Sequence, residues 1–485
     1  MKDRRRCMLL VSPNIDGAEM ATHELVDVSG MAIDEKRLDP FLTAFRGTVI
    51  RPGDTEYDSA RRIWNASIDR HPGLIARCSG LADVIEAVRF ARENAVLVAI
   101  RGGGHNVGGR ALCDRGLVID LSRMKGIHVD PKARRARVQP GVLLGELDRE
   151  THVFGLTVPV GVVSKTGVAG LTLGGGVGWL SRKFGLACDN VISFEMVTAD
   201  GEVLQVSADD HPDLFWALRG GGGNFGVVTS FEYRLHPVKM VLGGLVVHAR
   251  DNARDLLRFY RTFTQSAPDE MAAYAALLHT PDGMPAAAIA ACYCGDLADG
   301  ERLIAPLRSF GKPLMDVIQP MPFPAMQTVF DAAVPDGHQN YWKSAFLREL
   351  SDEAIDAVVR YANQATSPLT AILIEQYGGT ASRVGVQETA FAQRQTQYDL
   401  GILTQWTDPA ESERHVKWTR DFWDAMTAYG SGAYLLNFLG EESDATIKAA
   451  FGANYDRLVE VKTKYDPTNF FRVNQNVQPK PVAMA

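Results

Sequence analysis

Clustered glycine constrains this chain more than any other feature. Of its 45 glycines, five fall in 102–109, seven in 161–178 and five in 220–226. A glycine inside an ordinary helix or strand costs about 0.5–1 kcal/mol relative to alanine. Such clusters therefore mark backbone that turns sharply or comes close to another body. The chain around them is ordinary: 485 residues, 46% of them hydrophobic, which excludes wholesale disorder. The net charge of −7 gives no electrostatic footprint for nucleic acid or an anionic membrane surface. Six cysteines in so long a chain make neither a disulfide framework nor a CxxC metal pair, and no metal is expected. Cys292 and Cys294 read as two small residues in an apolar strand.

The segment Met1-Lys2-Asp3-Arg4-Arg5-Arg6 is basic, but the apolar run at 7–11 stops at Ser12-Pro13. A secretory core needs about 7–15 apolar residues, so no signal peptide is expected. Nor does any stretch reach the roughly 18 apolar residues of a membrane span. A soluble, cytoplasmic protein is expected, with residues 1–35 as a loose N-terminal extension.

Strand and helix patterns alternate from about residue 41 to 235, which is an α+β or α/β signature. Helical stripes are predicted at 81–94 and 143–151, and strands at 97–100, 116–121 and 136–139. After His236-Pro237 glycine becomes sparse. Strands are predicted at 242–249, 286–294 and 371–377, and amphipathic helices at 251–264, 352–364 and 387–398. The expected division is 36–236 for a first domain, 237–445 for an inserted second domain, and 446–485 for a return to the first.

The first window reads Arg101-Gly102-Gly103-Gly104-His105-Asn106-Val107-Gly108-Gly109. Consecutive glycines after a strand leave backbone N–H groups uncovered, a nest suited to phosphate oxygens. No GxxxxGK[ST] loop occurs, because Ser164-Lys165-Thr166 lacks the glycine before its lysine. The GxGxxG fingerprint fails as well, since Trp179 stands where the last glycine belongs. Both the ATPase reading and the ordinary NAD-dehydrogenase reading weaken.

With the windows at 158–179 and 214–229, and the closing segment Tyr465-Asp466-Pro467-Thr468-Asn469-Phe470-Phe471, the sequence resembles the berberine-bridge-enzyme-like FAD-linked oxidoreductases. These belong to the vanillyl-alcohol-oxidase superfamily. The resemblance implies an α+β, two-domain PCMH-type FAD-binding fold. Its inserted substrate domain is an antiparallel sheet backed by helices. It implies an FAD site built from Arg101, Gly102, Gly103, Gly104, His105, Asn106, Gly109, Gly161, Thr166, Gly167, Gly170, Gly174, Gly175, Gly178, Gly226, Val228 and Asn474. His105 stands where the family attaches FAD by an 8α-histidyl bond. Val163 stands where many relatives carry a second, cysteinyl link, so a single attachment is implied. Thr166 stands at the position resembling the family's oxygen gate; its volume is close to valine, which favours oxidase over dehydrogenase activity.

The catalytic base is expected from Tyr377 first, then Glu375, which share a strand face by the period of two. A tyrosine base needs neighbouring positive charge, for which Lys343 is the candidate. Tyr434 is a weaker candidate, because anchoring the family's Tyr-x-Asn on Asn437 puts Leu435 at the tyrosine's place. The expected activity is hydride removal from an alcohol or related C–H donor, a small molecule, with dioxygen as acceptor and hydrogen peroxide as product. A dehydrogenase with another acceptor, or a flavin-binding protein of low turnover, remains open. Oligomeric state is not legible.

Overall fold

In the computed structural model, residues 24–440 and 442–481 are described. The expected absence of a signal peptide concerns residues outside that range. Residues 24–34, expected in the loose extension, dock on the first unit: Leu25 is buried and Val26 N donates to Arg115 O at 2.9 Å.

Two sheets build the first unit. Thr48–Ile50, Leu74–Arg77, Leu117–Asp120 and Val98–Arg101 lie in that order, the last three mutually parallel. The helix Leu81–Glu93 covers them with Val84, Ala87, Val88 and Ala91, all fully buried at helical spacing. The second sheet is antiparallel, ordered Ile127–Asp130, Arg135–Val138, Val227–Arg234, Val191–Val197 and Val203–Ser207.

The inserted unit is one antiparallel sheet. Its strands run Met315–Asp316, Met240–Ala249, Pro285–Tyr293, Met271–His279, Ala371–Gln376, Tyr398–Trp406 and Gln339–Leu347, and Gln319–Pro322 also pairs with Met240–Ala249. Alternation sorts the side chains of Ala371–Gln376. Ile372 and Ile374 pack among the helices Ala253–Gln265, Asp352–Ala362 and Ser412–Met426, while Ala371, Leu373 and Glu375 face a cavity against the first unit.

The segment 387–398, expected to be helical, forms no regular element up to residue 397, and Tyr398 opens the strand Tyr398–Trp406. Its backbone groups are taken by neighbours instead of an i→i−4 ladder. Trp216 Nε1 donates to Gln387 O at 2.9 Å, and Ala390 N and Phe391 N donate to Trp216 O and Arg219 O. Arg394, fully enclosed, forms a two-pronged pair with Asp189 at 2.7 and 2.8 Å. These long-range bonds outweigh local helical periodicity.

The chain then returns to the first unit. Helix Asp444–Phe451 buries Ile447, Ala450 and Phe451 there, and helix Tyr455–Tyr465 adds Leu458 and Val461. Lys462 Nζ, wholly buried, donates to Asp466, Asn224 O and Phe471 O at 2.7, 2.7 and 2.8 Å. One ammonium with three buried acceptors thus fastens the closing segment to the third glycine window.

Candidate flavin site

The three glycine windows meet. A Cβ on Gly103 would stand 2.5 Å from Gly167 Cα, so two backbones touch where the first window crosses the second. Gly222 N donates to Leu173 O at 2.9 Å, joining the third window to the second, and Asn474 Nδ2 donates to Gly223 O at 2.9 Å. Between them and the large sheet lies a cavity of about 350 Å³. Of the expected cofactor residues, Gly102, Gly103, Gly104, His105, Asn106, Gly161, Thr166, Gly167, Gly170, Gly174, Gly226, Val228 and Asn474 line it.

Four others do not face it, and each has a packing reason. Arg101 turns away to donate to Ala60 O. Gly109 lies against the Ile68 side chain, Gly175 against the Phe391 ring, and Gly178 against Val160 O. These glycines serve protein contacts. At Gly170 and Gly223, by contrast, a Cβ would meet nothing within 4 Å. No neighbouring protein atom requires glycine at those two positions; they widen the cavity.

His105 stacks on Trp64, centroids 4.3 Å apart and planes inclined by 13°. Its Nε2 is buried with no protein partner. Burial holds the imidazolium pKa down to about 4, so the ring is neutral at pH 7. A neutral imidazole keeps one ring nitrogen unprotonated and nucleophilic, and His105 lines the cavity. The glycine cradle and this orphaned nitrogen together fit FAD.

On the sheet side Glu375 lines the cavity. It is paired directly across strands with Asp399, which accepts from Ser344 Oγ at 3.1 Å and leaves Oδ2 buried without a partner. Burial first, then the facing carboxyl of Asp399, pushes the Glu375 pKa well above the ordinary carboxylate range. Burial likewise raises Asp399, against the Ser344 hydroxyl. Two opposed carboxyls in so dry a place resist double ionisation.

Against a neighbouring family model described as "FAD binding domain", the chain matches at residues 72–207, and at 437–478 it matches one described as "Berberine and berberine like". It is 34% identical to an FAD-linked oxidoreductase of Dictyostelium discoideum, over 91% of this chain and 97% of that one. It is also 34% identical to (R)-6-hydroxynicotine oxidase of Paenarthrobacter nicotinovorans, over 90% of this chain and 98% of that one. The crystal structure of 6-hydroxy-D-nicotine oxidase from Arthrobacter nicotinovorans superposes with a TM-score of 0.83 at 32% identity, covering 90% and 98% of the two chains. The chain belongs to the berberine-bridge-enzyme-like FAD-linked oxidoreductases.

In this berberine-like oxidoreductase the expected acid–base residues separate. Glu375 reaches the cavity. Tyr377 lies one residue beyond the strand end at Gln376, its ring edge-on to Phe346 at 5.2 Å and its hydroxyl buried without a partner. Burial, then the carboxyls of Asp399 and Glu375, push its pKa well above the ordinary phenol range. Lys343 supplies no compensating charge. Trp342 faces the cavity, so Lys343, the next residue, points to the other face, where it pairs with Glu442 at 2.5 Å. Tyr434 packs on Trp423 at 5.5 Å, and Leu435 and Asn437 take the cavity wall.

Sequence reasoning missed Trp342, Asn437, Gln405 and Asp399. Strand alternation around Glu375 could have indicated Asp399 only once the partner strand was known. Asn437 anchors the Tyr-x-Asn comparison, and its own amide sits at the cavity and donates to Leu171 O at 3.2 Å. Trp342 stands edge-on to Trp64 at 5.0 Å, completing an aromatic wall around His105.

Proposed function

We propose that this oxidoreductase is an FAD-dependent oxidase with its cofactor held by one covalent bond through His105. It removes a hydride from an alcohol or related C–H donor, with dioxygen as final acceptor and hydrogen peroxide as product. The observation that carries the reading is His105 Nε2, neutral, buried and unpartnered at the wall of a glycine-lined cavity. Val163, with no nucleophilic atom, lines the same cavity, which supports single attachment. Bound FAD supplies a two-electron acceptor for the hydride.

The protein's own groups then hold and move the proton. Glu375 and Asp399 face each other across the strands and resist double ionisation, so once the pair has released one proton it accepts one from a donor hydroxyl or amine through the carboxyl that faces the cavity. The sheet face around Glu375 excludes water from that transfer. Thr166 lines the cavity from the loop 163–167, which Ser164 clamps to Asp331 through its N–H at 2.8 Å. Its compact side chain leaves room for dioxygen. The name of the 34%-identical (R)-6-hydroxynicotine oxidase supports oxidase over dehydrogenase chemistry.

Acid precipitation of the holoenzyme tests the attachment. Yellow fluorescence stays with the wild-type precipitate and leaves a His105→Ala protein. Wild-type protein that releases all its flavin would remove the covalent assignment.

A further inference from the structure

We propose that the donor oxidised at this site is a ring-bearing, largely apolar molecule presenting one hydroxyl or amino group, and not a saccharide; this rests on the flavin reading above. The sheet face over the cavity is built from Ala276, Leu278, Ala371, Leu373 and Leu403, with Leu369 at its margin. Register places them together: Ala276 pairs with Leu373, and Ala371 with Leu403. Phe330 and Val334 extend the same wall.

Polar atoms on this side are few, and some are already committed. Gln405 lines the cavity, but its Nε2 donates to Ala333 O at 3.1 Å and its Oε1 is paired with His338 Nδ1 at 2.5 Å. Asn437 spends Nδ2 on Leu171 O and keeps Oδ1. Trp342, 7% exposed, keeps an unpartnered Nε1 donor. Glu375 supplies the carboxyl. Among the described residues of the sheet and the 435–438 segment, the carboxyl of Glu375 is the titratable group on the cavity wall, with Asn437 Oδ1 and Trp342 Nε1 buried and unpartnered beside it.

A donor with one reacting group satisfies that set. Its C–H hydrogen leaves as hydride to FAD and its O–H or N–H proton goes to the Glu375–Asp399 pair, leaving a carbonyl or imine. A sugar brings several further hydroxyls against leucine and alanine. Each one buried without a partner costs about tenfold in affinity.

The test is anaerobic titration of the oxidised holoenzyme, followed at the flavin absorption bands. Probes are cinnamyl alcohol and N-methylbenzylamine against D-glucose and cellobiose, with dithionite reduction as control. At least one aromatic probe should bleach or perturb the bands at concentrations roughly a hundredfold below any sugar effect. Leu403→Asn and Leu369→Gln should each weaken that probe by about tenfold; Leu369 is 40% exposed, so its substitution leaves the fold intact. Bleaching by a sugar at equal concentration, silence of both aromatic probes, or unchanged affinity in both variants overturns the inference. Holoenzyme that dithionite cannot bleach removes the flavin reading itself, whereas normal dithionite bleaching with sugar-selective reduction removes only the substrate class.

Discussion

Gly170 and Gly223 offer a direct way to ask what the glycine windows are for. Both line the cavity, neither has a positive φ, and a Cβ on either meets no atom within 4 Å. In the absence of cofactor, Gly170→Ala lies inside the helix Val168–Leu173 and should stabilise the protein by about 0.5–1 kcal/mol. With FAD present the same methyl enters a packed contact, where overpacking costs about 1–3 kcal/mol. The corresponding loss of affinity is roughly five- to 150-fold. Reversible binding is needed to read it, so the substitutions belong in a His105→Ala background. Titration of apoprotein with FAD gives affinity, and thermal unfolding without FAD gives stability. The expected pattern is weaker FAD binding with apoprotein stability unchanged or raised. Gly103→Ala is the contrast. Its Cβ would lie 2.5 Å from Gly167 Cα, so it should lower stability with or without FAD. Gly170→Ala and Gly223→Ala proteins that both bind FAD as tightly as their parent would refute the cradle.

The remaining expectations use other groups. Thr166→Leu should slow reoxidation of reduced holoenzyme by air at least tenfold, with anaerobic reduction by substrate little changed; stopped-flow absorbance separates the two halves. Glu375→Gln should lower the rate of flavin reduction by about 10²–10⁴ and flatten its rise with pH, since the carboxyl pair accepts a proton only after losing its first one. Asp148, which is not among the residues lining the cavity, gives a stability test. Burial raises its pKa to about 8, with Thr157 Oγ1 at 3.5 Å and Oδ2 unpartnered. The native state therefore keeps a proton that the unfolded state has released above its ordinary 3.8, and stability falls as pH rises from there to about 8. The slope is up to about 1.4 kcal/mol per pH unit. Asp148→Asn lacks that slope, so thermal unfolding of the two proteins from pH 5 to 8 should diverge in the variant's favour.

The first unit was readable because its elements carry their own periodicity. The helix expected at 81–94 is Leu81–Glu93, and the strand expected at 97–100 is Val98–Arg101. The inserted sheet was only partly readable. Met271–His279, with Ala272, Ala273, Ala275 and Ala276, has the composition of a good helix, yet it pairs along both edges with Pro285–Tyr293 and Ala371–Gln376. Alanine's intrinsic preference amounts to less than about 1 kcal/mol per residue, and two ladders of hydrogen bonds outweigh it. At 387–397 the error ran the other way, because bonds to Trp216, Arg219 and Asp189 come from residues far away in sequence.

The same contrast separates the two halves of the site. Cofactor residues sit in short contiguous windows whose glycines announce themselves, and thirteen of the expected positions line one cavity. The acid–base residues depend on parity and on strand ends. Glu375 and Tyr377 share a face by the period of two, but the strand stops at Gln376, and Gly378 takes a φ of +99° as the chain turns away. Tyr377 consequently packs on Phe346 while Glu375 meets the cavity. Asp399, 24 positions further along, becomes its neighbour through strand pairing alone. A proton-handling pair assembled across two strands leaves no contiguous motif. Its legibility rests on register, and register is fixed by the alternate residues Ile372, Ile374, Leu400 and Ile402 that the helices bury on the opposite face. Shifting that apolar set by one residue would turn Glu375 into the helix layer, so packing behind the sheet decides which carboxyl stands in front of it.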